Sequence, residues 1–208
     1  MEIKTFQNTL STSDLSIRSA LKEDLESRHS RDEKVRIIEE LGVSHGTARI
    51  DIAVVNGIMH GYEIKSDQDT LRRLPEQISA FSLVFDEMTL VVGKNHLYDA
   101  INIVPDWWGI TMAKTNLNGA VIFQVIRENG NNENQDAVSI ARLLWRDEAL
   151  EILAEAGEAN GFYSKSRDYI YEKLSIVFDK KTLTEKVRDV IFFRTNWRLD
   201  TPLMLNGD

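Results

Sequence analysis

The stretch from Arg49 to Lys65 constrains the fold more than any other part of the chain. Arg49 to Val55 (RIDIAVV) alternates and is rich in β-branched residues, Asn56-Gly57 supplies the strongest short hairpin signal, and Ile58 to Lys65 (IMHGYEIK) runs back. Two antiparallel strands follow from that pattern. Asp51 falls in the middle of the first strand, inside an apolar run where a carboxylate is expensive to bury without a partner or a metal. Glu63 and Lys65 fall at i and i+2 near the end of the second, and the strand period puts them on one face.

The flanking segments extend this hairpin into a larger sheet. Val35 to Val43 reads either as a helix continuing from Asp32 or as a strand, and the short polar turn Ser44 to Ala48 (SHGTA) favours a strand that completes a three-strand meander. Ahead of it, Ser11 to Arg28 predicts a helix capped by Ser13 or Asp14, with Leu15, Ile17, Leu21 and Leu25 at helical intervals. Behind it, Ser66 to Leu74 is a loop, and Pro75 opens a helix ending near Asp86 with Ile78, Phe81 and Phe85 facing inward. Met88 to Val92 (MTLVV) has the continuous apolar character of a fully buried strand, and Asn95 to Ala100 makes a short helix. Further strands are expected at Trp107 to Met112 and Ala120 to Ile126. Glu128 to Gln135 (ENGNNENQ) is a polar, Asn-rich linker, and helices follow at Val138 to Leu150, Tyr169 to Phe178 and Leu183 to Trp197. The expected organisation is an α/β domain over residues 1–128 and a helical C-terminal domain over residues 136–208. That second domain is helix-turn-helix-like, or else a helical lid or dimerisation surface.

Composition narrows the chemistry. With 208 residues, 42% hydrophobic content and three prolines, the chain is an ordinary folded globular protein. No apolar run approaches the roughly 20 residues that span a bilayer, and Met1 to Leu10 has neither a basic n-region nor an apolar h-region, so a cytoplasmic location with no membrane partner is expected. The absence of cysteine excludes disulfides, thiolate zinc sites and cysteine nucleophiles, and His29, His45, His60 and His96 show no ligand spacing, so any metal must bind oxygen. A formal net charge of −8 argues against a general polyanion binder, because nonspecific nucleic-acid affinity comes mainly from Lys and Arg. Charge is uneven, however: Gly161 to Arg198 carries nine Lys/Arg against five Asp/Glu. Lys165, Arg167, Lys173, Lys180, Lys181, Lys186, Arg188, Arg194 and Arg198 there offer phosphate contacts, beside the plainer alternative of a solvated helical surface.

Two carboxylates on neighbouring strands, Asp51 and Glu63, suit a hard divalent cation that keeps several waters and takes substrate phosphate oxygens, with the backbone carbonyl of Ile64 available as a further ligand. Beside such an ion Lys65 can orient the attacking water and stabilise charge developing on phosphorus. An Asp and a Glu-x-Lys on adjacent strands, in an αβββαβ order of elements, resembles the PD-(D/E)xK (restriction-endonuclease-like) nuclease superfamily. More narrowly, the run from Arg49 through Asp51, Tyr62-Glu63-Ile64-Lys65-Ser66-Asp67, Leu71 to Leu74 and Gln77 to Trp107-Trp108-Gly109 resembles a group of small bacterial members.

That resemblance implies a Mg²⁺- or Mn²⁺-dependent phosphodiesterase, a nuclease acting on nucleic acid, DNA in the first place, with a homodimer in those members that cut two strands. It makes Asp51 and Glu63 metal ligands, Lys65 the catalytic lysine and Gln77 the supporting glutamine of the next helix, with Phe81 as the aromatic four residues on. Ile50 stands where a proline is usual. A further acidic ligand is expected on the first helix, where Glu23 is favoured over Glu26, with Glu39 and Glu40 as strand alternatives. Arg72 and Arg73 either guide the nucleic-acid backbone or pair with Asp67, Asp69 or Glu76. Trp107 and Trp108 are better read as core than as base-stacking residues. The rival from a different class is a noncatalytic nucleic-acid-binding or regulatory protein on the same scaffold.

Overall fold

A reciprocal cap opens the first helix of the computed structural model, which describes residues 11–195. The Ser16 backbone N–H donates to the Ser13 hydroxyl, and the Ser13 N–H donates to the Ser16 hydroxyl, so α1 runs Asp14–Arg28. The strands are β1 (Arg36–Val43), β2 (Ala48–Val55), β3 (Met59–Lys65), β4 (Glu87–Gly93), β5 (Gly109–Thr115) and β6 (Val121–Arg127). Helices α2 (Leu74–Phe81) and α3 (Leu97–Ile103) sit in the β3–β4 and β4–β5 connections, and α4 (Ala137–Ala141), α5 (Arg146–Glu155), α6 (Arg167–Val177) and α7 (Lys180–Phe193) follow the sheet. The α/β class expected from the sequence is the class observed.

All six strands form one mixed sheet in the order β1-β2-β3-β4-β5-β6. Tight turns make β1, β2 and β3 antiparallel, and Gly57 accepts the positive φ of 100° that the hairpin turn requires. Helical crossovers make β3, β4 and β5 parallel, and β6 returns antiparallel to β5. One face packs on α1: Ile17, Leu21 and Leu25 meet Ile52, Val54, Tyr62, Ile64 and Val91. The other face carries the larger core, where Met59, Leu90 and Val92 join Leu74 and Phe81 of α2, Ala100 of α3 and Ile140, Leu153, Ile170 and Val187 of the C-terminal helices. Val91 and its neighbours Leu90 and Val92 thus bury on opposite faces, which is why MTLVV shows no alternation.

Several boundaries differ from the sequence expectation for identifiable reasons. Helix α2 stops at Phe81 because the segment after it turns to pair with β3: the Asp86 carboxylate accepts the Met59 N–H at 2.7 Å, and the Met59 carbonyl accepts the Asp86 N–H. The Asn-rich segment is pinned to that same turn, the Asn132 side chain donating to the carbonyls of Ser82 and Phe85. The helix expected over Val138 to Leu150 is two helices, because Glu148 caps the Trp145 N–H and starts α5 afresh. Helix α7 begins earlier than expected, capped by Asp179 through the Thr182 N–H. Met1 to Leu10, Trp197 and Arg198 lie outside the described residues. Among the described residues no helix is long and apolar enough to cross a membrane.

Asp67, just past β3, knots three segments together. Its carboxylate accepts the Thr12 N–H and hydroxyl at 2.9 and 2.8 Å and the Asn95 N–H at 2.9 Å. Burial works to raise its pKa, but these hydrogen bonds outweigh it and hold the group below its ordinary value. A Cβ on Gly93 would lie 2.6 Å from both the Asp67 backbone nitrogen and its Oδ1. A Gly93→Ala variant is therefore expected to lose about 2 kcal/mol of stability through overpacking, read as a lower urea midpoint; an unchanged midpoint would mean that the Asp67 knot moves aside freely.

Candidate functional site

The interrupted alternation of β2 positions Asp51. Residues two apart on a regular strand share a face, yet Ile50 packs into the larger core and Ile52 into the α1 side, so the strand changes face at Asp51. Its neighbour β1 does the same: Ile38 and Leu41, three apart, share the larger core, and Glu40 between them has a left-handed φ of 56°. For a residue with a Cβ that conformation costs on the order of 1 kcal/mol and persists only where the surroundings enforce it. Here they do, because Arg18 of α1 lies 2.7 Å from Glu40 Oε1 and 2.6 Å from Asp51 Oδ1, and is braced along its own helix by Asp14.

Asp51 is fully engaged. Oδ1 takes Arg18, and Oδ2 accepts the Ile64 backbone N–H at 2.6 Å. The arrangement offers the N–H of Ile64 to the aspartate, where the sequence suggested its carbonyl as a metal ligand. Burial pushes the Asp51 carboxyl up, and Arg18 and the Ile64 N–H only partly offset that. Burial also works against the charge on Arg18, but Asp51 and Asp14 hold its pKa above the ordinary value.

On the opposite face, with Met59 and Gly61, lie Glu63 and Lys65. Glu63 is 1% exposed and Lys65 7%. Glu63 Oε1 accepts from Lys65 Nζ and from Gln77 Nε2 of α2, each at 2.5 Å. Among the described residues Glu63 Oε2 and Gln77 Oε1 are buried without a hydrogen-bond partner. Lys65 pulls Glu63 toward ionisation, but desolvation and the nearby Asp51 charge prevail and push it up to about 8. Its affinity for a proton thus lies above that of an ordinary carboxylate, and with so little exposure the cluster presents no surface to a substrate.

The structure thus brings Asp51, Glu63, Lys65 and Gln77 close together and leaves other expected residues out. Glu23 is exposed on α1; the residue that α1 sends to Asp51 is the cation Arg18, five positions earlier and therefore on a different side of the helix. Glu26 is likewise exposed, and Glu39 pairs with Lys22. Among the described residues no three acidic or histidine side chains converge where they could hold a metal ion. The donor set does not fit the expected Mg²⁺ or Mn²⁺ site, because a guanidinium already occupies the side of Asp51 where another carboxylate was expected. Arg72 and Arg73 are exposed at the entry to α2, and Asp67 and Asp69 are committed elsewhere, the latter to Ser66. Trp108 is fully buried, with Trp107 packed edge-on beside it. His60 is buried against Thr89 and Tyr62 and is lowered to about 4 by desolvation, a structural histidine. Arg18 was missed by sequence reasoning, and Glu40, expected only as an alternative metal ligand, is instead its partner; the one available signal was that Arg18 stands at helical spacing from Asp14 on the polar side of α1.

Comparison with known proteins bears directly on this cluster. A sequence model described as "Bacteriophage P4 protein cII" matches residues 7–198. Among curated proteins, "Protein cII" of Enterobacteria phage P4 is 27% identical over 142 residues, covering 67% of this chain and 53% of that protein. The chain therefore spans about half the length of the curated relative it matches. No solved structure gives a significant match. These matches overturn the resemblance to the PD-(D/E)xK superfamily, and with it the reading of the chain as a metal-binding nuclease and hydrolase. The element order and the Asp, Glu-x-Lys spacing are both present, but neither specifies one family.

Two outcomes follow from this electrostatics. A raised carboxyl pKa means that the folded state binds the proton more tightly, so the stability linked to Glu63 is complete below its ordinary 4.5 and is lost as pH rises to about 8. Urea unfolding across that window should show a decline of up to about 1 kcal/mol per pH unit, and Glu63→Gln should flatten it; an equally steep profile in the variant would reject the assignment. Arg18→Ala, which removes the ion-pair partner of Asp51 and leaves Glu40 only the more distant Arg49, should cost about 3 kcal/mol, and wild-type stability would contradict its role as the tie between α1 and the sheet.

Proposed function

The chain belongs to the family of bacteriophage P4 protein cII, and from that premise we propose that it is a noncatalytic regulatory protein that acts by binding nucleic acid. The observation that carries this reading is the closed electrostatics of the cluster. Arg18 and the Ile64 N–H take both oxygens of Asp51, and Lys65 and Gln77 hold Glu63 in a site that is nearly solvent-free. Charges arranged this way join α1, the sheet and α2, and leave binding to the surface.

Surface cations support the choice of nucleic acid. Arg72 and Arg73 are exposed and take no acidic partner among the described residues, so on this reading they contact phosphates. With an overall charge of −8 the affinity must come from local patches, and it will fall steeply with salt. The test is a gel-mobility and length assay with labelled duplex DNA, single-stranded DNA and RNA, in EDTA and in Mg²⁺. Expected are retarded complexes with probe lengths unchanged in both buffers, and a log-log salt slope reduced by roughly one for each of Arg72→Glu and Arg73→Glu. Retardation of no probe at low salt, or shortening in Mg²⁺ that Asp51→Asn abolishes, would overturn the proposal.

A further inference from the structure

Where on the surface a base, as opposed to a phosphate, can be held is answered by the segment leading into α6. Tyr163 and Tyr169 are 65% and 60% exposed, large rings left in water although the chain has buried core available for aromatics. Between them Lys165 and Arg167 are exposed and take no acidic partner among the described residues. Lys165 Nζ stands 5.7 Å from the centroid of the Tyr169 ring, which polarises the ring and places a cation beside it.

The segment is not a loose loop. Arg146 of α5 donates to the Tyr163 carbonyl, and Arg142 lies 3.3 Å from Asp168 Oδ1, which His45 approaches from the β1–β2 turn at 3.4 Å. These clips bring Arg142 and Arg146 against the stretch that carries Lys165 and Arg167, so two further cations lie beside it. Asp168 and Asp147 are the acidic groups paired within the patch, each with one of the two clipping arginines. In a chain of net charge −8, this local excess of cations between exposed rings is complementary to a phosphate backbone whose bases are free to stack.

We propose that this face is a binding platform for single-stranded nucleic acid, with Tyr163 and Tyr169 stacking on bases and Lys165 and Arg167 contacting the intervening phosphates; it rests on the nucleic-acid reading given above. A duplex keeps its bases stacked on each other and offers these rings nothing, so the single strand is the preferred form.

The test is fluorescence anisotropy of the full chain with a fluorescein-labelled oligothymidylate of roughly 15 nucleotides and with a duplex of the same length. Expected are tighter binding to the single strand, a loss of roughly tenfold for each of Tyr163→Ala and Tyr169→Ala, and retention in Tyr163→Phe and Tyr169→Phe, which keep the ring. Lys165→Ala and Arg167→Ala should each lower the log-log salt slope by roughly 0.7, while Lys94→Ala, an exposed cation elsewhere, should bind as wild type. All these positions are exposed, and circular dichroism of each variant checks that the fold is intact. Wild-type affinity in both alanine variants, or a preference for the duplex, would overturn the platform and leave the nucleic-acid reading standing; binding of no probe at all would overturn both.

Discussion

The Arg18–Asp51 pair is the interaction on which the arrangement around the sheet depends. A single guanidinium from α1 reaches the point where both β1 and β2 change face, and holds Asp51 and the strained Glu40 at once. Through the second oxygen of Asp51 the same contact continues into the backbone of β3 at Ile64. A half-buried charge in an apolar strand would otherwise be costly, and here each partner supplies what the other needs. Helix α1 is therefore fixed in angle as well as in depth: the apolar stripe of Ile17, Leu21 and Leu25 presses it on the sheet, and Arg18 sets its rotation.

Behind that pair, Glu63, Lys65 and Gln77 form a second polar group inside the larger core. Among the described residues two of its buried oxygens, Glu63 Oε2 and Gln77 Oε1, have no hydrogen-bond partner, and desolvation with the nearby Asp51 charge raises the Glu63 carboxyl above its ordinary range. Such a cluster looks in sequence like a reaction centre, because strained and perturbed groups gather at reaction centres. Structural networks perturb carboxylates as strongly, and the match to the P4 cII family overturns the nuclease superfamily that the motif suggested. Order of elements and a three-residue charge pattern carry a fold class, but they do not carry a chemistry.

The exterior behaves differently from the interior. Inside, Lys65 lies on Glu63 and Arg194 on Glu148. Of the C-terminal basic residues, Lys173, Lys186, Arg188 and Arg194 are turned toward Glu158, Glu155, Asp86 and Glu148. The nominal excess of positive charge in that region is thus smaller at the surface than the composition suggests, and it concentrates at the few positions, Lys165 and Arg167 among them, that the fold leaves exposed.

What the sequence by itself determined was local. The hairpin at Asn56-Gly57, a helix start at Ser13 or Asp14, the buried β4 run and the α/β class were all legible, since turn chemistry, capping and apolar periodicity act between residues close in the chain. So was the proximity of Asp51, Glu63 and Lys65, which follows from one hairpin. The tertiary structure alone decided who neutralises whom. Arg18 meeting Asp51 joins positions 33 apart, and whether a carboxylate on a strand faces an ion, a guanidinium or a backbone N–H depends on the rotation of a helix that no local pattern encodes. The break in alternation at Glu40 and Asp51 was invisible for the same reason: a change of face in two neighbouring strands is stabilised by a contact from a third element, and a periodicity read one strand at a time cannot register it.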